Sequence, residues 1–242
     1  MFCIVIPFSQ SFDEIGFTYS IPTNLELKPW MIVLVPFWNK EILWIVSSVL
    51  SSITFDISKV KPILNIYSND IFLNEYQLKL LDFISKYYIC LAHNSLNLFF
   101  PSNLKQKLLK NKFVFKSNIQ DFKYDFNYDK TLNPNQQKVF LDILNSKNNK
   151  HLMYWVTWSW KTEIYINLIK KYLDSWKQSL LLVPEIILTA QIYSRIQKVF
   201  WNDVLILNSQ VSDAKKTLYF ELIHQNKAKI IVWTRSSIFY PY

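Results

Sequence analysis

The chain has 242 residues, half of them apolar and 17% aromatic, with 27 lysines and arginines against 18 acids and a formal charge of +9. That much apolar material excludes a disordered chain and leaves room for one large or two small domains, while no apolar run reaches the roughly 18 residues of a membrane span, so no membrane partner is expected. The basic balance favours an anionic partner, nucleic acid first, although a lysine-biased composition raises the charge without any function.

From the first residue, short β-branched and aromatic runs (Cys3 to Pro7, Met31 to Pro36, Ile42 to Leu50) alternate with Pro, Asn and Trp, which suggests a small β-rich module. Leu78, Leu80, Leu81, Ile84 and Tyr88 recur at helical spacing and predict a helix from Asn74 to Tyr88, after which Pro101 closes the unit. Between 105 and 130, Lys105, Lys107, Lys110, Lys112 and Lys116 interleave with Phe113 and Phe115; a solvated helix face plus linker competes there with a segment tracking nucleic acid. From Thr131 the rhythm becomes helix, strand, loop, helix. Asn133-Pro134 reads as an N-cap with proline at the first helical position, starting a helix through Leu144. Strands are then expected at Leu152 to Val156, Ser179 to Val183, Val204 to Leu207 and Lys229 to Val232, and helices at Glu163 to Leu173, Thr189 to Phe200 and Ala214 to Gln225. Alternation of this kind makes a parallel sheet with helices on both faces.

The two cysteines, Cys3 and Cys90, and the scattered His93, His151 and His224 fit no metal-ligand or disulfide spacing, and a reducing cytoplasm follows. No basic leader precedes the apolar run from Phe2 to Phe8.

Nine tryptophans stand against a single glycine, Gly16. Average usage of roughly 7% would give about 17 glycines. Between an apolar run and a helix, residues Trp155-Val156-Thr157-Trp158-Ser159-Trp160-Lys161-Thr162 become GVTGSGKT, a complete phosphate loop, once glycine is written for tryptophan. Such a loop wraps bare main-chain N–H groups around phosphate, and an indole there would fill the site. One cause would explain both anomalies: UGA codons read as glycine in the cell and written as tryptophan. Only Arg195 and Arg235 are arginine, which fits an AT-rich genome poor in glycine codons. The competing reading is a tryptophan-rich core, which leaves the turn-like settings Phe37-Trp38-Asn39, Ser175-Trp176-Lys177 and Phe200-Trp201-Asn202 unexplained.

With the loop placed, the flanking strings resemble the amino-terminal third of the PriA-type replication-restart DNA helicases of superfamily 2, also called primosomal protein N′. The family's GVTGSGKTEVY is similar to Trp155 through Tyr165, its LVPEIALTPQ to Leu182 through Gln191, its HSxLSxxER to Asn208 through Lys216, and its IVIGTRSALFAPF to Ile230 through Tyr242. Near the start, VPFG resembles Val35 through Trp38. All nine tryptophans fall where the family has glycine or a glycine-type turn.

The resemblance implies a 3′-DNA-end-binding domain over 1–104, a linker over 105–130 with the winged helix missing or reduced, and a partial RecA-like lobe over 131–242, an α/β fold overall. It implies ATP and Mg²⁺ as cofactors. Trp155, Val156, Thr157, Trp158, Ser159, Trp160, Lys161 and Thr162 would cradle the phosphates, with Lys161 on the β- and γ-phosphates and Thr162 on the metal. Gln136 would read adenine, or serve only as a polar residue of a capped helix. Pro184, Glu185, Thr234, Arg235 and Ser236 would face single-stranded DNA, with a structural arginine as the competing reading. Phe17, Thr18, Tyr19, Trp38 and Lys61 would bind the 3′ end of a strand; for the aromatics, core packing is the alternative, and Thr18 stands where the family carries an acid. Primosome proteins and single-stranded-DNA-binding protein are the partners the family implies, besides forked or single-stranded DNA.

The expected function is thus an ATP-dependent 3′-to-5′ helicase of replication restart. These residues alone are expected to be inactive, because the DEEH segment, the zinc-binding cysteines and the second lobe are absent from them. The rivals are another superfamily 2 ATPase, or a non-catalytic DNA-binding protein if the indoles are genuine.

Overall fold

The computed structural model describes residues 1–8, 16–54, 56–68, 72–110, 112–116, 131–154, 161–183, 194–200, 204–207, 211–233 and 235–242. They form two compact units: Met1–Ser117 with Ser212–His224 and Phe239–Pro241, and Asn118–Val211 with Gln225–Ile238 and Tyr242.

The first unit is built on five antiparallel strands, β1 (Phe2–Pro7), β2 (Phe17–Ser20), β3 (Ile32–Phe37), β4 (Lys40–Leu50) and β5 (Asn65–Ser68), in the order β2-β1-β4-β3-β5. Period-two alternation places Cys3, Val5, Val33, Val35, Trp44 and Val46 in one buried cluster with Tyr19 and Ile63. The opposite set, Ile32, Leu43 and Ile45, is equally buried, so the central strands are covered on both faces. Three helices follow: α1 (Glu75–Tyr87), α2 (Ala92–Leu96) and α3 (Ser102–Leu109). Asn74 and Gln77 close a reciprocal capping box at the start of α1. An aromatic cluster holds this region together. Phe72 lies beside Phe113 and Phe115, and Phe100 packs on Phe220 of α7 (Asp213–His224), whose His224 stacks on Phe115 at 4.9 Å. Phe72 and Phe220 are fully buried, and each contributes roughly 2 kcal/mol by that burial.

The second unit carries a three-stranded parallel sheet in the order β6-β8-β7, formed by β6 (Ser179–Leu182), β7 (Val204–Leu207) and β8 (Ile230–Trp233). The register pairs both Ser179 and Val204 with Ile230. Ile166 and Ile169 of α5 (Lys161–Leu173), and Ile196, Val199 and Phe200 of α6 (residues 194–200), pack on Val204, Ile230 and Val232. Ahead of them α4 (Pro134–Asn145) begins at the Asn133 N-cap with proline in its first turn.

The small β-rich module and the α/β region with a parallel sheet agree with the fold expected from sequence. The strand expected at Leu152 to Val156 does not form over its described part. Residues 152–154 lie outside any strand, with Leu152 and Tyr154 96% and 94% exposed. A short apolar run does not by itself dictate a strand; it needs neighbours to bury it.

Candidate functional site

Five residues from three separate stretches of the chain meet at one end of the antiparallel sheet. Phe17, Thr18, Tyr19, Trp38 and Lys61, together with Pro36, Phe37 and Lys59, line a cavity of about 410 Å³. Each arrives through a definable local structure. Pairing of β2 on β1, with Cys3 opposite Tyr19 and Val5 opposite Phe17, presents Phe17 to Tyr19. The β3–β4 hairpin pairs Phe37 with Lys40 and leaves Trp38 and Asn39 as its two-residue loop. The 3-10 turn Ile57–Lys59 is capped by Asp56, whose carboxylate accepts from the Ser58 N–H at 3.0 Å, and the Lys61 carbonyl then accepts from the Ser20 N–H at 3.0 Å. That last bond lays Lys61 alongside β2.

Among the described residues, the cavity combines flat rings with two ammonium groups and is lined by no carboxylate. Phe17 and Phe37 meet edge to face at 5.4 Å, and both contact Trp44 behind them, at 5.1 and 4.7 Å. Tyr19 is buried, and its hydroxyl donates to the Pro36 carbonyl at 3.1 Å. Burial pushes that hydroxyl up to about 12, with the neighbouring Cys3 thiol acting in the same direction, so it stays a donor at neutral pH. Lys59 and Lys61 are exposed at the rim. Rings on which a base can stack, beside cations that meet a phosphate, suit the end of a nucleic-acid strand. Sequence reasoning missed Pro36, Phe37 and Lys59. The i, i+2 repeat of lysine at 59 and 61 was the available signal.

In the second unit, Lys161 and Thr162 open α5 and are half-buried. Trp155, Val156, Thr157, Trp158, Ser159 and Trp160, expected to form the cradle, lie outside the described residues, as do Pro184, Glu185 and Thr234. Arg235 and Ser236 open a 3-10 turn, Arg235–Phe239, directly beyond β8, and Arg235 is exposed. The parallel register brings the carboxyl ends of β6 and β8 to one edge, where the Val183 N–H bonds to the Trp233 carbonyl at 2.8 Å. Gln136 is buried. Its Oε1 accepts from the Asn133 N–H at 2.9 Å, and its own N–H bonds to Asn133 Oδ1 at 2.9 Å, completing a capping box on α4.

In the first turn of α5, Glu163 is buried and its carboxylate is paired with the guanidinium of Arg195 in α6. Among the described residues no cluster of His, Cys, Asp and Glu is arranged to hold a metal ion, and no helix is long and apolar enough to cross a membrane.

Comparison with known proteins divides the chain in the same order. Residues 4–101 match the family described as 3'DNA-binding domain (3'BD), and residues 129–242 match that described as Type III restriction enzyme, res subunit. The replication restart protein PriA of Rickettsia conorii is 32% identical over 239 residues, covering 99% of this chain and 35% of the relative. That of Helicobacter pylori strain 26695 is 30% identical over 210 residues, covering 87% and 31%. The Bacillus subtilis protein of the same name is 33% identical over 145 residues, covering 57% and 18%. The chain spans about a third of the length of the first of these relatives. A DNA-binding module followed by a helicase-type module, matched in sequence order and along nearly the whole chain, places it in the PriA family of replication restart proteins.

Proposed function

We propose that the first unit binds the 3′ end of a DNA strand in the cavity between Phe17, Tyr19, Phe37 and Lys61, and that the second contributes the nucleotide-binding part of a motor. In the whole protein the pair would serve an ATP-dependent helicase moving 3′ to 5′ and reloading the replication machinery at stalled forks, with primosome proteins and single-stranded-DNA-binding protein as partners. The single observation that carries the reading is the convergence of aromatic faces and two lysines on one cavity, in the unit that matches a DNA-binding family.

The division of labour follows from the chemistry. Phe17 and Phe37 offer faces to a terminal base, Lys59 and Lys61 meet its phosphates, and Tyr19 holds the β3 turn in place through Pro36. Thr18, half-buried among them, supplies a hydroxyl where an acid would recognise the 3′-hydroxyl more strongly. In the second unit Lys161 would bind the β- and γ-phosphates and Thr162 the Mg²⁺. Gln136 would face adenine, while Pro184, Glu185, Thr234, Arg235 and Ser236 would border single-stranded DNA at the carboxyl edge of the sheet.

End-blocked oligonucleotides test the reading. Single strands carrying a biotin–streptavidin block at the 3′ end should lose affinity for the chain, and the same block at the 5′ end should leave binding unchanged. Equal binding of both would refute end recognition.

A further inference from the structure

Five described residues other than glycine hold a positive φ: Trp30, Trp38, Ile89, Trp176 and Asn226. Three of the five are tryptophan, a residue type that fills nine of 242 positions, so chance would put fewer than one there. A positive φ crowds Cβ against the main chain, and bulky residues seldom adopt it.

Each of the three occupies the glycine position of a different, recognisable turn. In Lys28-Pro29-Trp30-Met31 the Met31 N–H reaches the Lys28 carbonyl, proline stands second and Trp30 third with φ 74°. That is the type II turn, whose third residue is glycine by steric demand. Trp38 is the first of the two loop residues between β3 and β4; its φ is 54° while Asn39 has no positive φ. A two-residue hairpin loop with only its first residue at positive φ is the II′ form, which takes glycine there. Beyond α5, the Trp176 N–H bonds to the Leu173 carbonyl at 2.8 Å and the Lys177 N–H to the Tyr172 carbonyl at 3.0 Å, with φ 57° at Trp176. This pair of bonds is the Schellman motif, and Trp176 sits at its left-handed position. Gly16, the one glycine, shares the conformation at φ 107°, and a Cβ there would lie 2.5 Å from the Val5 carbonyl oxygen.

At two of the three turns the indole itself does little to hold the chain, whereas Trp30 is buried. Trp38 and Trp176 are 83% and 79% exposed. The Lys229 ammonium passes 5.7 Å from the Trp176 ring, but it donates to Asn226 Oδ1 at 2.8 Å and to the Trp176 main-chain carbonyl at 3.0 Å, which any residue supplies. Trp44 shows a different anomaly. It is fully buried in β4, and its indole N–H has no hydrogen-bond partner among the described residues, whereas buried tryptophans usually find one. Asn226 is a residue type that tolerates the left-handed region. Ile89 also adopts it, and what sets the three tryptophans apart is turn type, not φ alone.

We infer that positions 30, 38, 44 and 176 carry glycine in the protein made by its own cell, through a codon read there as glycine and written as tryptophan. The same codon accounts for the phosphate-loop tryptophans. With glycine at 38 and 44 the strand-end cavity loses a ring at its rim and another behind Phe17 and Phe37, which makes it larger than the 410 Å³ seen with indoles present. At positions 30, 38 and 176 the inference stands on backbone geometry and at 44 on the unpartnered indole N–H, and neither depends on the DNA-binding reading.

Mass spectrometry of the protein isolated from cells carrying the gene tests it. Protease fragments covering positions 38, 44 and 176 should each be lighter by the difference between an indolylmethyl group and hydrogen; fragments of the mass expected for tryptophan overturn the inference. A second arm uses the recombinant chain as written. Because their indoles are exposed, Trp38→Gly and Trp176→Gly remove no core, and both should raise the midpoint of thermal unfolding. A lowered midpoint in both would show that indole suits these turns and would count against glycine.

Discussion

The Tyr19 hydroxyl donates to the Pro36 carbonyl oxygen at 3.1 Å, tying the middle of β2 to the end of β3 across the cavity floor. Replacing Tyr19 by phenylalanine keeps the ring and removes the donor, leaving a carbonyl without its partner. The expected cost is about 1 kcal/mol of stability, read from urea denaturation, together with weaker binding of a 3′-ended single strand as the Pro36-Phe37-Trp38 turn loosens. Unchanged stability and binding would show the bond to be incidental.

Lys59 and Lys61 stand at the rim as exposed cations. If each meets one phosphate, Lys59→Ala and Lys61→Ala should each flatten the dependence of log affinity on log salt by about 0.7 for single-stranded DNA. Aromatic replacements such as Phe37→Ala should lower affinity without changing that slope. Fluorescence anisotropy between 50 and 200 mM salt, roughly the range over which such slopes are read, separates the two effects.

The Arg195–Glu163 pair is asymmetric: the Glu163 side chain is 3% exposed and that of Arg195 40%. Arg195→Ala leaves a buried carboxylate without its guanidinium and should cost about 3 kcal/mol. Glu163→Ala frees an arginine that can turn to water, so it should cost less. Equal losses in chemical denaturation would contradict the asymmetry. The pair also joins the first turn of α5, which carries Lys161 and Thr162, to α6, so under the proposed function Arg195→Ala should weaken nucleotide binding as well.

His93 in α2 is 3% exposed and its Nδ1 has no hydrogen-bond partner among the described residues. Burial lowers its tendency to take up a proton below that of an ordinary histidine. The unfolded chain therefore binds the proton first as pH falls, and stability declines from about pH 6.5 down through the folded-state value, then levels off. Urea titrations at pH 7.5 and below pH 6 should show the loss, and His93→Asn should reduce it. A His93→Asn variant with the full acid sensitivity would assign the effect elsewhere.

Much of the architecture is legible where the signal is local. The alternation in β1, β3 and β4 and the Asn133-Pro134 start of α4 are patterns carried by neighbouring residues. β2 and β5, four residues each, are too short to show a period and exist because longer strands pair with them. α2 and α3 begin at Leu91 and Pro101, neither of which makes a side-chain cap bond, so the usual start signal is missing. The strand expected over 152–156 shows the reverse failure, an apolar run whose described residues stay exposed. The cavity could not be read from spacing at all. Phe17 and Lys61 are brought together by pairing in a sheet, and only the family resemblance linked them beforehand; Phe37 and Lys59 needed the fold.

The most direct test of strand-end recognition is photocrosslinking with a reactive base at the 3′-terminal, an internal or the 5′-terminal position of otherwise identical single strands. The account predicts that the 3′-terminal probe alone attaches within residues 17–19 and 36–38, the segments that line the cavity. Attachment there from internal or 5′-terminal probes with equal yield would contradict it.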